Sequence, residues 1–140
     1  MPVEDLARKD VVTVEPETPA SEVASRLQNE SVGSAVVVEG GQPVGIVTDR
    51  DLAVRVVAEE RAAGDLTVEN VMSENLCTAH PEDGFAEAAR TMRENAVRRL
   101  PVCDDGDELR GIITADDMSE LLADEQEQLA EVIRAQRPSY

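Results

Sequence analysis

Two threonine–aspartate pairs could do chemistry: Thr48 with Asp51, and Thr114 with Asp117. Each aspartate follows its threonine by three residues, and each pair closes an apolar run. That places each pair where a strand hands over to a helix. A carboxylate there accepts two hydrogen bonds, which suits the neighbouring hydroxyls of a sugar. Such a charge-assisted pair is stronger than a neutral one. A hydroxyl beside the free N–H groups of a helix start can hold phosphate. The same residues also serve as helix caps or charge the first turn, and both readings stand at this point. Asp116 joins the set as the neighbour of Asp117. Arg50, Arg98 and Arg99 supply cations for phosphate, and Arg98-Arg99 is notable in a chain poor in bases. A solvated pair balancing nearby acids is the plainer reading of those arginines.

The elements that must position these groups come twice. Shifted by 65 residues, the stretch from Val3 to Gly41 lines up with Val68 to Gly106. Thr13 meets Thr78, Pro16-Glu17 meets Pro81-Glu82, and Val32 meets Val97. One inserted residue moves the offset to 66, and Gly45-Ile46-Val47-Thr48 then meets Gly111-Ile112-Ile113-Thr114. A match at one offset with a single gap marks an internal repeat. Each copy reads as β-α-β-β-α after a short helical start (Val3 to Ala7; Val68 to Met72). The first strands fall at 11–14 and 76–79. Thr18-Pro19 and Asp83 are the expected helix caps. Ala20, Val23, Ala24 and Leu27, then Phe85, Ala88, Ala89 and Met92, form the stripe of a helix with one buried face. Hairpins come next at 35–48, turning on Gly40-Gly41, and at 100–114. Closing helices span 50–58 and 116–123. The expected organisation is repeat one over 1–60, a linker over 61–67 broken at Gly64, repeat two over 68–124, and a polar helical tail over 125–140. The fold class is α/β in the α+β sense, with two units related by a pseudo-two-fold axis. Each sheet buries only one face well, and two such sheets can cover each other, which explains why the unit comes in pairs.

Thirty acids against thirteen bases give a net charge of −17, and Lys9 is the one lysine. The acids spread along the whole chain, which reads as a surface suited to concentrated salt, as in a halophilic archaeon, rather than as an interaction tail. No basic stripe exists to neutralise phosphates, so nucleic-acid binding is not expected. No apolar run reaches membrane-spanning length. Cys77 and Cys103 align with Val12 and Val38 and read as small core residues. The chain is expected to be cytoplasmic and reduced. His80 has no partner spacing for a metal site.

The repeated β-α-β-β-α unit, with Gly-Ile-Val-Thr-Asp-Arg-Asp-Leu at the end of one copy's last strand and Gly-Ile-Ile-Thr-Ala-Asp-Asp-Met at the other's, resembles the CBS domain pair, or Bateman module. The resemblance covers nearly all of residues 3–124. It implies a stand-alone regulatory pair that binds an adenosine-containing ligand (AMP, ADP, ATP, S-adenosylmethionine or NAD) between the repeats and reports occupancy to a regulated protein. It also implies a base pocket built from the first strand and the start of the second. Carried over, that pocket takes Thr13, Val14, Ala35 and Val36 in one copy and Thr78, Ala79, Leu100 and Pro101 in the other. Plain core packing is the competing reading for those side chains. The family usually forms a flat dimer of pairs, so a homodimer is expected, assisted by Leu129, Val132 and Ile133 of the tail.

No cofactor is expected beyond that ligand, and no enzyme activity. Asp49-Arg50-Asp51 is similar to a phosphatase's two-aspartate loop, but Ala115 breaks it in the second copy and no further catalytic parts are present. A ligand-free scaffold for dimerisation or partner docking is the alternative function.

Overall fold

The computed structural model describes residues 1–138. Its elements run α1 (Val3–Leu6), β1 (Thr13–Val14), α2 (Ala20–Glu30), β2 (Ser34–Glu39), β3 (Gln42–Thr48) and α3 (Asp49–Leu52). A π-helical turn (Ala53–Val57) extends α3, and a 3-10 turn (Val68–Asn70) opens the second copy. Then come α4 (Phe85–Asn95), β4 (Arg99–Cys103), β5 (Leu109–Thr114) and α5 (Ala115–Gln136). The fold is α+β, with a three-stranded sheet β1-β2-β3 and a two-stranded sheet β4-β5.

The repeat is visible in register as well as in sequence. Ser34 pairs with Thr48 and Arg99 pairs with Thr114. Each hairpin carries one bulge, between Val37 and Val38 and between Val102 and Cys103. The turn at Gly40-Gly41 has φ of 60° and 80°, the left-handed pair that a two-residue hairpin loop requires and glycine adopts freely. Helices α2 and α4 bury the expected stripes: Ala20, Val23 and Leu27, and Ala88 and Met92.

Two expectations change. The helix caps are not Thr18 and Asp83. The flanking residues are Pro19 and Gly84, neither with a side-chain cap. Thr18 Oγ1 instead accepts from Glu15 N–H, and Asp83 Oδ2 from His80 N–H, each closing its own loop one turn early. The strand at 76–79 reduces to a single parallel bridge, Ala79 with Val102. The closing helix continues through the tail as expected, as one helix from Ala115 to Gln136, because nothing between Ala123 and Glu125 stops it.

The two copies trade their starts. Fully buried Val3 packs in the second copy's core, with Ala88, Leu100, Val102 and Ile113. Val68 and Val71 pack in the first copy's core, with Val23, Ala35 and Val47. Backbone bonds fix the exchange: Val3 N–H donates to Asp83 C=O at 2.7 Å, and Val68 N–H to Thr18 C=O at 2.8 Å. Beyond each start the chain lies along the other copy's last strand. Arg8 and Ile112 exchange two backbone bonds of 2.9 Å, while Ser73 and Ile46 exchange bonds of 2.9 and 3.2 Å. Gly45 and Gly111 permit this approach. A Cβ on Gly45 would lie 2.6 Å from Met72 Sδ, and one on Gly111 would lie 2.7 Å from the Arg8 carbonyl oxygen. The two copies are therefore tied through both cores.

Candidate functional site

This crossing places two clefts at equivalent points between the copies. The first, about 520 Å³, lies between the β3–α3 junction of the first copy and the chain entering the second. Thr48, Asp49, Arg50 and Asp51 line one side. Ser73, Asn75, Leu76 and Cys77 line another, with Val97, Arg98, Arg99 and Pro101 opposite. The second, about 180 Å³, is bounded by Thr114, Ile112 and Asp116, by Arg8, Asp10, Val11 and Val12, and by 31–34 with Arg99. Each continues into a more open groove, about 610 Å³ beside Glu74 and Asn95 and about 880 Å³ beside Lys9 and Glu30.

Both threonines cap their helices. Asp51 N–H donates to Thr48 Oγ1 and Asp117 N–H to Thr114 Oγ1, each at 3.1 Å. The aspartates differ. Asp51 Oδ2 accepts from Thr48 N–H at 2.9 Å in a capping box, and the half-buried residue faces the cleft. Asp117 meets Arg8: Nη2 donates to Oδ1 at 2.8 Å, and Nε lies 3.2 and 3.3 Å from the two oxygens. Burial pushes the Asp117 carboxyl up, but the hydrogen bonds from Arg8 and Thr114 outweigh it and leave the group below the usual carboxylate range. The Arg8 guanidinium is raised in turn, mainly by its bond to Asp117.

Three arginines, Arg50, Arg98 and Arg99, line the first cleft. Arg98 Nη2 bonds Asp116 Oδ1 at 2.9 Å, an exposed pair worth little by itself. Arg99 leans over Gly33, where a Cβ would come within 2.8 Å of its Nη2, and it lines both clefts. Arg50, Arg98 and Arg99 line the cleft together with Asp49, Asp51 and Asp116, a mixture of cations and carboxylates that suits a ligand with an anionic end and a hydroxylated middle. No group of three His, Cys, Asp or Glu among the described residues is arranged to hold a metal. No described helix is long and apolar enough to cross a membrane.

Of the residues marked from the sequence, the first cleft unites Thr48, Arg50, Asp51, Arg98, Arg99, Pro101 and Asp116. Thr114 lines the second, while Asp117 sits behind Arg8. Thr13, Val14, Ala35, Val36, Thr78, Ala79 and Leu100 are not among the residues lining either cleft. Val14, Ala35, Val36, Ala79 and Leu100 are core. The Thr13 carbonyl accepts from Arg26 Nη1, and Thr78 is exposed. The lining lies a few residues earlier, at Val11, Val12, Leu76 and Cys77, where the chain is extended but not yet paired. Cys77 therefore faces a cleft half-buried rather than filling the core, while Cys103 is core as expected. Arg8 and Ser73 carried no local signal. They stand opposite each other at the 65-residue offset, and comparing the copies there would have found them.

Comparison with known proteins agrees with this architecture. The CBS domain model matches residues 3–58 and again 68–124. A CBS domain-containing protein of Bacillus subtilis, YhcV, is 36% identical over 117 residues, spanning 84% of this chain and 82% of its own length. An uncharacterised protein of Methanopyrus kandleri is 35% identical over 117 residues, 83% of this chain and 60% of that relative. Among solved structures, the CBS domain pair of protein MJ0100, in complex with 5'-methylthioadenosine and S-adenosyl-L-methionine, superposes with a TM-score of 0.81. It is 28% identical and covers 89% of this chain and 98% of that one. Matched in both repeats, the chain belongs to the CBS domain family and folds as a tandem CBS pair.

Proposed function

We propose that the chain is a regulatory module that binds an adenosine-containing ligand in the first cleft and signals its occupancy to a partner protein. The observation that carries this reading is the cleft itself. Its 520 Å³ lies within the roughly 300–1,000 Å³ of small-ligand sites. Both copies contribute to it, and Asp51 lines it together with Arg50, Arg98 and Arg99. In this reading Asp51 accepts from the ribose hydroxyls, Thr48 and the start of α3 meet the first phosphate, and Arg50, Arg98 and Arg99 meet the outer phosphates. AMP, ADP, ATP and S-adenosylmethionine are the candidates, and the likeness to the MJ0100 pair favours this class. A ligand touching both copies binds one arrangement of them better and shifts the population toward it. Occupancy then reaches the partner as shape. No catalysis is proposed.

Binding stabilises the folded state by mass action. A thermal-shift panel of AMP, ADP, ATP, S-adenosylmethionine and NAD, run from low to about 2 M KCl, tests the reading. At least one adenosine compound raises Tm. The net charge of −17 opposes an anionic ligand, and at about 1 M salt the screening length falls to roughly 3 Å. Nucleotide binding therefore tightens as KCl rises, with a flatter response for cationic S-adenosylmethionine. No shift with any compound at millimolar concentration contradicts the proposal.

One observation favours a second reading, assembly without ligand. Leu122, Leu129, Val132 and Ile133 are exposed on α5, and Val54 and Val57 on the π-helical turn. An apolar surface of this kind suits a second copy of the chain. A concentration-dependent dimer with no ligand response would support it.

A further inference from the structure

We infer that Arg8 closes the second cleft to nucleosides by occupying the hydroxyl-binding face of Asp117, so that the chain takes one adenosine ligand rather than two. This rests on the ligand class proposed above for the first cleft.

The copies provide an internal control. Thr48 and Thr114 cap alike, and Ile46 and Ile112 hold the crossing chain alike. The difference lies in what the crossing chain carries. Opposite Ile46 it carries Ser73, and opposite Ile112 it carries Arg8. A serine hydroxyl stays close to its own backbone. The arginine spans the gap and forks onto both Asp117 oxygens, at 2.8 to 3.3 Å. The Asp117 side chain is only 13% exposed, although Arg8 is 63% exposed. Asp117 drops out of the cleft lining, while Asp51 remains in its own. The part of the cleft between Arg8, Thr114 and Arg99 holds about 180 Å³ before it opens into the groove beside Lys9 and Glu30. Arg99 crowds the same space from across Gly33. A sugar diol would have to displace a bidentate guanidinium, the strongest partner a carboxylate finds among side chains.

The direct test is binding stoichiometry by calorimetry, with S-adenosylmethionine and AMP as separate probes, for the wild type and Arg8→Ser. Serine is what the first copy's cleft already has opposite Ile46. The expected result is one site per chain in the wild type and two in Arg8→Ser. The double variant Asp51→Ala/Arg8→Ser should keep one site, in the opened second cleft. Two sites in the wild type overturn the inference and leave the proposed function intact. One site in both the wild type and Arg8→Ser does the same. No binding of either probe by either protein overturns both. If Arg8→Ser loses its cooperative melt, Arg8→Gln at the same position answers the question, because a neutral amide cannot form the charged fork.

Discussion

Asp51 and Asp117 hold the same position in two copies of one unit, three residues after a capping threonine. Only Asp51 faces its cleft. The strand register, the bulge, the glycine approach and the crossing chain are shared. What differs at the two aspartates is the residue that the crossing chain sets opposite, Ser73 in one copy and Arg8 in the other, with Arg99 reaching into the second cleft from across Gly33. A duplicated scaffold thus keeps its backbone solution while its sites diverge through a side chain lent by the other copy. A motif read within one repeat cannot report this, since what decides the fate of Asp117 lies 109 residues away.

The largest effect expected from breaking the symmetry lies in the cores. Val3 and Val68 are equivalent, and each is fully buried in the other copy's core. Val3→Ala and Val68→Ala should each cost about 2 kcal/mol. A single cooperative urea transition should persist in both variants. Two separated transitions would show that the exchanged starts do not couple the halves.

A smaller effect sharpens the comparison through pH. Asp117 is held below its ordinary pKa chiefly by Arg8, against the opposing effect of burial. A carboxylate depressed in the folded state contributes stability above its unfolded value of about 3.9. That contribution is lost as pH falls through the folded value. Asp117→Asn should therefore be less stable than the wild type at neutral pH, and the gap should close in acid. Urea midpoints from about pH 7 to 2.5 check this, and a gap constant across that range would remove the ion pair from the account. The Cys103 thiol, pushed up to about 11 by burial and then by Asp107 and Asp104, carries the opposite sign. Its contribution is present below an unfolded value of about 8.5 and lost as pH rises toward 11. Thiolate absorbance against pH should show its titration well above that of a free thiol.

Much of the fold was legible because it is local. The Gly40-Gly41 turn, the apolar stripes of α2 and α4 and the repeat offset each come from spacing alone. The helix caps were misplaced because Thr18 and Asp83 find backbone partners in their own loops before the helix starts. The exchanged starts were hidden because Val3 is apolar in either core, and pattern does not say which core it enters. At the site, the threonines, Asp51 and the arginines were legible by chemical type. Thr13, Val14, Thr78 and Ala79 were marked by position in the first strands, but the cleft is lined by extended chain just before pairing begins.

In the proposed binding mode Asp51, and not Asp117, reads the ligand. Calorimetric titration of Asp51→Ala and Asp117→Ala with the compound giving the largest thermal shift tests it most directly. Losing a hydrogen-bonded carboxylate costs about 1.5–3 kcal/mol, so Asp51→Ala should weaken binding roughly 10- to 100-fold. Asp117→Ala should leave the first-cleft affinity within about twofold, since a contribution below about 0.4 kcal/mol is all that a residue outside the cleft supplies. Equal losses in the two variants, or a loss in Asp117→Ala alone, would show that Asp51 is not the residue that holds the ligand.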